Sequence, residues 1–477
     1  MLPVPELDFA LLLQRDSDTT LTAQLIAELR GRAMAGALVA GLRLPSSRRL
    51  AEQLGVSRTV TQAAYEQLAA EGLLESVRGA GSFIANDLVA KRAQPPGAPA
   101  RWRAGGAAPA PAPIDFKPGN TDIGFLQGDA WRRCWRQALR AGMSGKYADP
   151  RGDIALRGAI CAYLARSRGF ACDAGDVFIT GSSADALDLV CGAVMARGGA
   201  AMMEEPGYPR ARAVVASHGL RLCDVGVDRD GLRVDGLPRA AGSPCMVYVT
   251  PSHQYPLGHR MSLGRRQALL DWAGPAGGYV VEDDYDSEFR FDALPLPALR
   301  SLDAQRVIYI GTFSKVLTPE MRLAYVVVPA ALREQFMARR LIRGDQPAAM
   351  LQAAVAAFVD AGELEKHIWR MRRVYAGKRA ALMANLRRFG LHADVLGTEA
   401  GLHTVLGLAD GDDVPAIVAA LAGKGVRVVP LSHYCRGARK LPGLVLGYGA
   451  LSVAEIEAGV NHIAAVLRQC RQARIPG

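Results

Sequence analysis

The sequence lacks the patterns by which cysteines usually indicate a metal site or a disulfide framework. Its 477 residues contain eight scattered cysteines, with no CxxC pair and no Cys/His spacing of the kind that binds zinc. We therefore expect reduced, mostly buried thiols and no bound metal.

The sequence also lacks a segment for export or for membrane insertion. The first residues, MLPVPELDFALLLQRD, contain an apolar run of only five residues with no basic stretch before it, so no signal peptide is expected. The uncharged stretch QPAAMLQAAVAAFV is too short and too rich in alanine to span a bilayer. We expect a cytoplasmic protein without a membrane partner.

Acidic residues are in deficit, since 46 Asp and Glu against 57 Lys and Arg give a formal net charge of +11. A basic balance favours anionic partners such as nucleic acid or phosphates, although many basic proteins bind neither. Half of the residues are hydrophobic and 22% are charged, which is typical of globular proteins. The length is too great for one ordinary core and predicts a multi-domain chain.

A stretch rich in Pro, Ala and Gly divides the chain. Residues 88–114 contain four basic residues and little apolar side chain to bury, which is typical of a linker. The linker separates a front module, residues 1–87, from a back module, residues 115–477. The back module changes pattern near residue 345, so we expect a large part at about 115–344 and a smaller α+β part at about 345–477.

The front module has the pattern of three helices and a small hairpin. LTAQLIAELRGRAM places leucines on one face, PSSRRLAEQLG runs from a Ser N-cap to a Gly, and VSRTVTQAAYEQLAAEGLL follows after a tight LGVS turn. LLESVRGAGSFIA then predicts two short strands around a basic turn. Such an arrangement is typical of a winged helix-turn-helix, in which arginines at helix starts and at the wing meet DNA. Short motifs of this kind are also common in ordinary core helices.

Over nearly its whole length this module resembles the winged-helix domain of GntR-type bacterial regulators, carried by LPSSRRLAEQLGVSRTVTQAAYEQLAAEGLLESVRGAGSFIA. The resemblance implies binding to double-stranded promoter DNA through Arg48, Ser57, Arg58, Thr59, Arg78 and Gly79. One departure is the order Val60-Thr61, where the family usually has Thr-Val. The reversal would turn Val60 towards solvent or DNA and Thr61 towards the core.

The back module alternates strand-like and helical segments. The runs DVFIT, AAMME, GLRLCDV, CMVYVT, GYVVED, RVIYIG and RLAYVVV are mostly separated by helical stretches, which predicts a mainly parallel sheet with helices on both faces. Ligands bind beyond the carboxyl ends of parallel strands. From about residue 345 a long helix is expected, with a break near EKH.

Unusual polar clusters follow several of these strands: GSSADAL, EPGYPR, PSHQYPLG, DDYDSEFR and TFSK. Together they offer a lysine, carboxylates, an aromatic face, an arginine and a small-residue turn opening a helix, which suits a phosphate. Lys315 by itself would most often be a solvated surface residue. The whole set fits pyridoxal 5'-phosphate, whose aldehyde bonds to a lysine. A nucleotide or a sugar phosphate would use the phosphate cradle without needing the lysine, and the chain contains neither a Walker loop nor GxGxxG.

From about residue 115 onwards the chain is similar to a fold-type I aminotransferase domain, α/β with a mainly parallel sheet. DPRGDIALRGAI, EEPGYPRARA, VTPSHQYPLGHRMSL, VEDDYDSEFR and GTFSKVLTPEMRLAY resemble the MocR/GabR-type subfamily of GntR regulators in particular. The match makes Lys315 the Schiff-base lysine and Asp283 the partner of the pyridine nitrogen. The resemblance also implies cofactor contacts from Tyr285, Tyr208, Ser183, Ala184, Thr312, Ser314, Arg322, His253 and Tyr255. Asp185 in the phosphate turn departs from the family and would repel a phosphate unless it points away.

Three functions remain open on the sequence. The preferred one is a regulator that binds pyridoxal phosphate and senses it, or a small amine, by exchange at Lys315. The second is a working aminotransferase with an accessory DNA-binding module, and the third is a plain GntR repressor with another ligand. Val445 stands where aminotransferases carry the arginine that clamps a substrate carboxylate, which leaves Arg210 or Arg212 as candidates. The resemblance implies a head-to-tail homodimer.

Overall fold

The computed structural model describes residues 13–17, 19–77, 81–85, 114–126, 128–142, 145–195, 198–238, 245–291, 297–344, 346–391, 395–437 and 441–472, and of Met34 only the backbone. The chain folds as two units, Met1–Pro109 and Ala110–Gly477. The linker predicted at 88–114 lies outside the described residues except for Ile114, and so does the basic turn that holds Arg78 and Gly79. None of the described helices is long and apolar enough to cross a membrane.

The front unit consists of three helices and one hairpin. The helices are α1 (Leu21–Ala35), α2 (Ser47–Leu54) and α3 (Arg58–Ala70), and the strands β1 (Leu74–Val77) and β2 (Gly81–Ile84) pair in antiparallel fashion. Hydroxyls of Thr20 and Ser46 cap α1 and α2. These caps satisfy backbone N–H groups that have no partner inside a helix. The predicted winged-helix pattern is therefore present.

Leucines from all three helices form the core of the front unit, including Leu25, Leu29, Leu50 and Leu68. The structure shows which way Val60 and Thr61 face in α3. Thr61 is fully buried and its hydroxyl donates to the carbonyls of Ser47, at 2.7 Å, and of Arg58, at 3.1 Å. Thr61 thus faces the core as predicted, whereas Val60 is half-buried against the same core rather than turned out to solvent.

The back unit is built on an eight-stranded sheet within the described residues, in the spatial order β4-β11-β10-β9-β8-β5-β6-β7. Neighbours from β10 to β6 pair in parallel, while β11 and β7 are antiparallel to their partners. The strands are β4 (Val177–Thr180), β5 (Ala200–Glu205), β6 (Arg221–Asp228), β7 (Gly231–Leu232), β8 (Cys245–Val249), β9 (Tyr279–Asp284), β10 (Val307–Thr312) and β11 (Ala324–Val327). The predicted mainly parallel sheet is confirmed.

Helices cover both faces of this sheet. The helices of the large part are α4 (Asp129–Ala141), α5 (Ile154–Arg168), α6 (Ser183–Val194), α7 (Pro209–Ser217), α8 (Leu263–Ala273), α9 (Leu299–Leu302) and α10 (Arg333–Arg343). One face packs against α5 through Leu156 and Ile160, and the other against α6 and α10 through Val190 and Phe336. Because both faces are covered, the strands β4, β8, β10 and β11 are buried and largely apolar rather than alternating.

The long helix expected after residue 345 is two helices, α11 (Ala349–Asp360) and α12 (Glu363–Arg388). The break falls at Ala361 and Gly362, before the EKH where it was predicted, because Gly362 adopts a left-handed conformation with φ +66°. Leu364 and Ile368 at the start of α12 pack on the large sheet. The end of α12 joins the core of the smaller part.

The smaller part carries a four-stranded sheet, in the order β12-β13-β16-β15, packed against helices. Its elements are β12 (Val395–Leu396), β13 (His403–Gly407), α13 (Val414–Gly423), β14 (Val426–Arg427), β15 (Val429–Pro430), β16 (Gly443–Gly447) and α14 (Val453–Gln472). The short strand β3 (Ile114–Asp115) pairs in parallel with β14. The first described residues after the linker are therefore anchored in the smaller part.

Candidate functional site

The front unit presents its candidate DNA-contacting residues at the start of α3 and on α2. Ser57, Arg58 and Thr59 are all exposed, and Ser57 does not use its hydroxyl to cap α3. Arg48 is exposed on α2 and lies 3.4 Å from Glu52 one turn later. An exposed ion pair of this kind is worth little, so phosphate or base edges can compete for Arg48.

In the back unit the strand ends surround one cavity of about 320 Å³. Ten of the eleven residues expected to contact the cofactor line it: Lys315, Asp283, Tyr285, Tyr208, Ser183, Ala184, Thr312, Ser314, Arg322 and Tyr255. They come from segments that follow β4, β5, β8, β9 and β10 and that precede β11. The common edge of a parallel sheet explains this convergence.

Lys315 lies in the turn after β10, and its Nζ donates to the carbonyl of Gly119 at 2.9 Å. Burial lowers the pKa of Lys315, while the carboxylates of Asp286 and Asp283 act in the opposite direction. A lowered pKa favours the neutral amine, which is the nucleophilic form of a lysine. The position therefore suits an amine that reacts with a carbonyl carbon.

Asp283 lies at the end of β9 and is 4% exposed. The hydroxyl of Tyr248 donates to its Oδ2, while its Oδ1 has no hydrogen-bond partner among the described residues. Burial raises the pKa of this carboxyl to about 7. A buried acceptor without a partner is costly, so Oδ1 is poised to accept a proton-bearing group of a ligand.

The beginning of α6 offers a cradle for an anion. The first N–H groups of a helix have no partner inside it, and Ser183 and Ala184 occupy these positions beside the cavity. Arg322 lines the same cavity and has φ +50°, a conformation that costs a non-glycine residue about 1–3 kcal/mol. Thr312 and Ser314 add hydroxyls. The set is typical of a phosphate site.

Asp185 does not oppose an anion there, because its carboxylate is turned away from the cavity. Its Oδ2 accepts the N–H of Gly181 at 2.8 Å, and its Oδ1 pairs with the guanidinium of Arg343. The charge of Asp185 is thus neutralised behind the turn. Of the two outcomes that the sequence left open, the side chain points away.

His253 is the predicted site residue that does not line the cavity. It lies directly behind Tyr285, 1% exposed, where the hydroxyl of Tyr285 donates to its carbonyl at 2.9 Å. Its Nδ1 lies 3.0 Å from Oδ2 of Asp286, so the N–H donates to that carboxylate. His253 therefore orients Tyr285 from behind instead of meeting a ligand directly.

Sequence reasoning missed several residues that line the cavity. Asp286 stood in the quoted DDYDSEFR motif without a role, and Tyr248 lies inside an otherwise apolar strand. His403 comes from β13 of the smaller part, where burial lowers its pKa to about 3. Residues 117–120, which follow β3 at the beginning of the back unit, also line the cavity. Polar residues inside buried strands are the signal that a sequence offers for Tyr248 and His403.

The positions considered for binding a substrate carboxylate differ in burial and in whether their charge is already paired. Val445 is fully buried in an apolar cluster with Leu257 and Val405. Arg212 is also buried and pairs with the carboxylates of Glu205, at 2.6 Å, and Asp224. Arg210 is exposed and lines the cavity. Arg212 is thus excluded as a clamp, and Arg210 is the guanidinium left at the mouth.

Comparisons with known proteins agree with both halves of the chain. Residues 21–84 match the family of bacterial regulatory proteins of the gntR type, and residues 120–441 match the aminotransferase class I and II family. The chain is 35% identical over 471 residues to the probable rhizopine catabolism regulatory protein MocR of Rhizobium meliloti, covering 95% of each chain.

A second relative is the pyridoxine biosynthesis transcriptional regulator PdxR of Corynebacterium glutamicum, 33% identical over 443 residues, with 93% of this chain and 95% of the relative covered. Among solved structures, the kynurenine aminotransferase of Pyrococcus horikoshii in complex with PMP is 26% identical with a TM-score of 0.67, covering 75% of this chain and 91% of that one. The similarity thus covers more than nine tenths of this chain for the two regulators and three quarters of it for the aminotransferase.

Proposed function

This chain belongs to the MocR/GabR-type branch of the GntR transcriptional regulators, and from that premise we propose that it controls a promoter in response to pyridoxal 5'-phosphate or to a small amine at Lys315. A winged helix-turn-helix and an aminotransferase-like domain occur in one chain, so a ligand of the back unit has a DNA-binding unit to act on. The observation that carries the proposal is the convergence of Lys315, the unpartnered Oδ1 of Asp283 and the start of α6 on one cavity.

The cofactor of such a domain is pyridoxal 5'-phosphate, and the donors around the cavity suit each of its groups. When bound, it supplies an aldehyde that bonds to an amine and a pyridine ring that draws electrons when protonated. Oδ1 of Asp283 would accept the N–H of that ring, while the start of α6 and Arg322 would hold the phosphate. Tyr208 supplies an aromatic face and stands edge-on to Tyr255, with ring centroids 5.7 Å apart.

Lys315 provides a route from this site towards the linker. Its Nζ contacts the carbonyl of Gly119, and the hydroxyl of Thr121 donates to the carbonyl of Leu317 in the lysine loop. Gly119 lies five residues after Ile114, where the predicted linker ends. An amine that takes the place of Lys315 frees its side chain, so the contact with Gly119 changes at the base of the connection to the DNA-binding unit.

The cavity also suggests the class of effector. Because Val445 offers no charge and Arg212 is already paired, only Arg210 at the mouth is available from the earlier candidates to meet an anionic group. The wall near Arg210 is aromatic, formed by Tyr208 and Tyr255. We infer that the effector is the cofactor itself or an amine that does not depend on the usual carboxylate clamp.

A homodimer is the assembly we propose, with the head-to-tail arrangement that the family resemblance implies. Large apolar side chains are exposed on the back unit, among them Tyr147, Ile154, Ile342 and Trp369. Exposed apolar patches often mark protein interfaces. A dimer presents two winged helices, so the operator should contain two half-sites. Light scattering should give twice the mass of the 50.8 kDa chain, and a monomer at micromolar concentration would contradict this.

The second candidate is an active aminotransferase, favoured by the similarity of the back unit to solved aminotransferases. The two functions differ in turnover. A regulator shifts its absorption spectrum and its DNA affinity on adding an amine, without catalytic release of a keto product. Multiple turnovers with an amino acid and a keto acid would establish the enzyme instead.

The first experiment is an absorption spectrum with and without pyridoxal phosphate, on the native protein, Lys315→Ala and the exposed control Lys424→Ala. The native protein and the control should show a visible band that Lys315→Ala lacks. The three proteins are then compared for operator binding by gel shift before and after an amine is added. If all three proteins gave the same spectrum, Lys315 would be rejected as the site that binds the cofactor. If the spectra differed as expected but the amine left the DNA binding of the native protein unchanged, the regulatory role of Lys315 would be rejected.

A further inference from the structure

Two thiols lie side by side on the surface of the large part's core. Cys161 is on α5 and Cys172 follows the turn at Gly169, and their Sγ atoms are 3.3 Å apart. Both are partly exposed and both pack against the core cluster beneath them. Cys134, Cys191, Cys245 and Cys435 are buried instead.

The two sulfurs are held in place by the polypeptide around them. Arg157, one turn before Cys161, donates to the carbonyl of Ala174 at 2.6 Å and so ties α5 to the loop that carries Cys172. The carboxylate of Asp173 accepts the N–H of Gly175 and fixes the following turn. Disulfide formation needs the sulfurs to approach from 3.3 Å to about 2 Å.

The chemistry of the pair is asymmetric. The S–H of Cys172 donates to the sulfur of Cys161, which lowers the pKa of Cys161, while the same hydrogen bond and burial raise the pKa of Cys172. The thiolate is the reactive form of a cysteine. The lowered pKa of Cys161 favours this sulfur as the attacking one, with Cys172 reacting second.

We propose that Cys161 and Cys172 form a peroxide-responsive thiol pair that closes reversibly to a disulfide. The thiolate of Cys161 attacks hydrogen peroxide, an S–O bond forms as the O–O bond breaks, and the departing hydroxide takes a proton to become water. The sulfur of Cys172 then attacks Cys161, the S–O bond breaks, and the hydroxide leaves with the thiol proton as a second water. Two thiols are oxidised by two electrons and one peroxide is reduced.

The segment between the two cysteines braces the strand that carries Asp283. The hydroxyl of Tyr163 donates to Glu288 at 2.8 Å, and the guanidinium of Arg168 pairs with Asp284 at 2.7 Å and Glu288 at 2.8 Å. Asp284 directly follows Asp283 in β9. The disulfide would therefore link the two ends of a segment that contacts Asp284 and Glu288, next to Asp283.

The test is peptide mapping of the reduced full-length protein before and after hydrogen peroxide. Trypsin separates the two cysteines, because it cuts after Arg157, Arg166 and Arg168. The expected product is the peptide of residues 158–166 joined to the peptide that begins at Gly169, two hydrogens below the summed mass and released by dithiothreitol. Cys161→Ser and Cys172→Ser should each abolish it, while the partly exposed control Cys470→Ser should keep it.

Other outcomes overturn the proposal. Oxidation of Cys161 to sulfinic acid in the native protein, without the linked peptide, would show that Cys172 does not resolve it. Should a serine variant fail to fold, a short bifunctional thiol reagent applied to the native protein must bridge the same two peptides. Absence of that bridge would mean that the two sulfurs are not neighbours in solution.

Discussion

The substitution Asp283→Asn is expected to stabilise the cofactor-free protein at alkaline pH. The same substitution is expected to lower the affinity of the protein for pyridoxal phosphate. The carboxyl is 4% exposed, and its burial raises the pKa from 3.8 to about 7. Well below pH 3.8 the group is protonated in both the folded and the unfolded chain, and it does not affect stability. As pH rises, the unfolded chain ionises first, so Asp283 disfavours folding increasingly up to pH 7 and fully above it.

The raised pKa of Asp283 sets how much its carboxyl lowers the free energy of unfolding. About three pKa units correspond to about 4 kcal/mol above pH 7, of which about half is already present at pH 5.5. Asparagine keeps an oxygen to accept the hydroxyl of Tyr248 and carries no charge. Relative to the native protein, Asp283→Asn should therefore gain about 2 kcal/mol in free energy of unfolding between pH 5.5 and 8.5. Glu282, whose pKa is also raised to about 7, is present in both proteins and cancels in this comparison. The charge of Asp283 is one cause of the raised pKa of Glu204, so the substitution also relieves Glu204 and acts in the same direction.

Urea unfolding of the cofactor-free protein, followed by tryptophan fluorescence, measures the effect in the back unit. Four of the five tryptophans lie there, and the front unit's described residues contain none. The exposed Asp271→Asn serves as the control. Pyridoxal phosphate should bind Asp283→Asn about ten- to a hundredfold more weakly, since a hydrogen bond to a charged group is worth about 1.5–3 kcal/mol. An unchanged stability difference at both pH values, or unweakened binding, would refute the reasoning.

Three further substitutions test the packing around both sites. Thr61→Val removes a buried hydroxyl that donates to two carbonyls, so it should lower the free energy of unfolding of the front unit by about 1 kcal/mol. The lower stability is detected as a lower melting temperature of that unit. Gly119→Ala places a Cβ 2.9 Å from Nζ of Lys315 at φ +101°, so it should lower cofactor occupancy, read from the visible band. Arg168→Met leaves two buried carboxylates unpaired and should cost about 3–5 kcal/mol in urea, against less than about 1 kcal/mol for Arg166→Met, whose ion pair is exposed.

The sequence predicted the cavity because its residues follow a topological rule. Lys315, Asp283 and Tyr208 belong to segments that follow different parallel strands, and such segments meet at one edge of the sheet whatever their distance in the chain. The reversed Val60-Thr61 pair was likewise predictable for Thr61, since a helix of 3.6 residues per turn fixes which side each position faces.

The features of the site that the sequence did not predict depend on contacts between distant parts of the chain. Asp185 is harmless to an anion only because Arg343, 158 residues later, pairs with it. His403 enters the cavity from another sheet, and His253 withdraws from it because Asp286 and Tyr285 hold its ring and its carbonyl. No local pattern encodes such partners. The helix break was local, but the glycine that causes it lies slightly earlier than the charged residues that suggested it.

The anchoring of β3 on β14 limits how this protein can be cut into its parts. Ile114 and Asp115 pair with the smaller part, Pro118 lies against the backbone of Gly447, and the carbonyl of Gly119 accepts a hydrogen bond from Lys315. A truncation that starts after residue 120 would therefore discard a wall of the cavity along with the linker. A back unit produced alone should begin before Ile114, and a fusion that exchanges the DNA-binding unit should join the chains upstream of that strand.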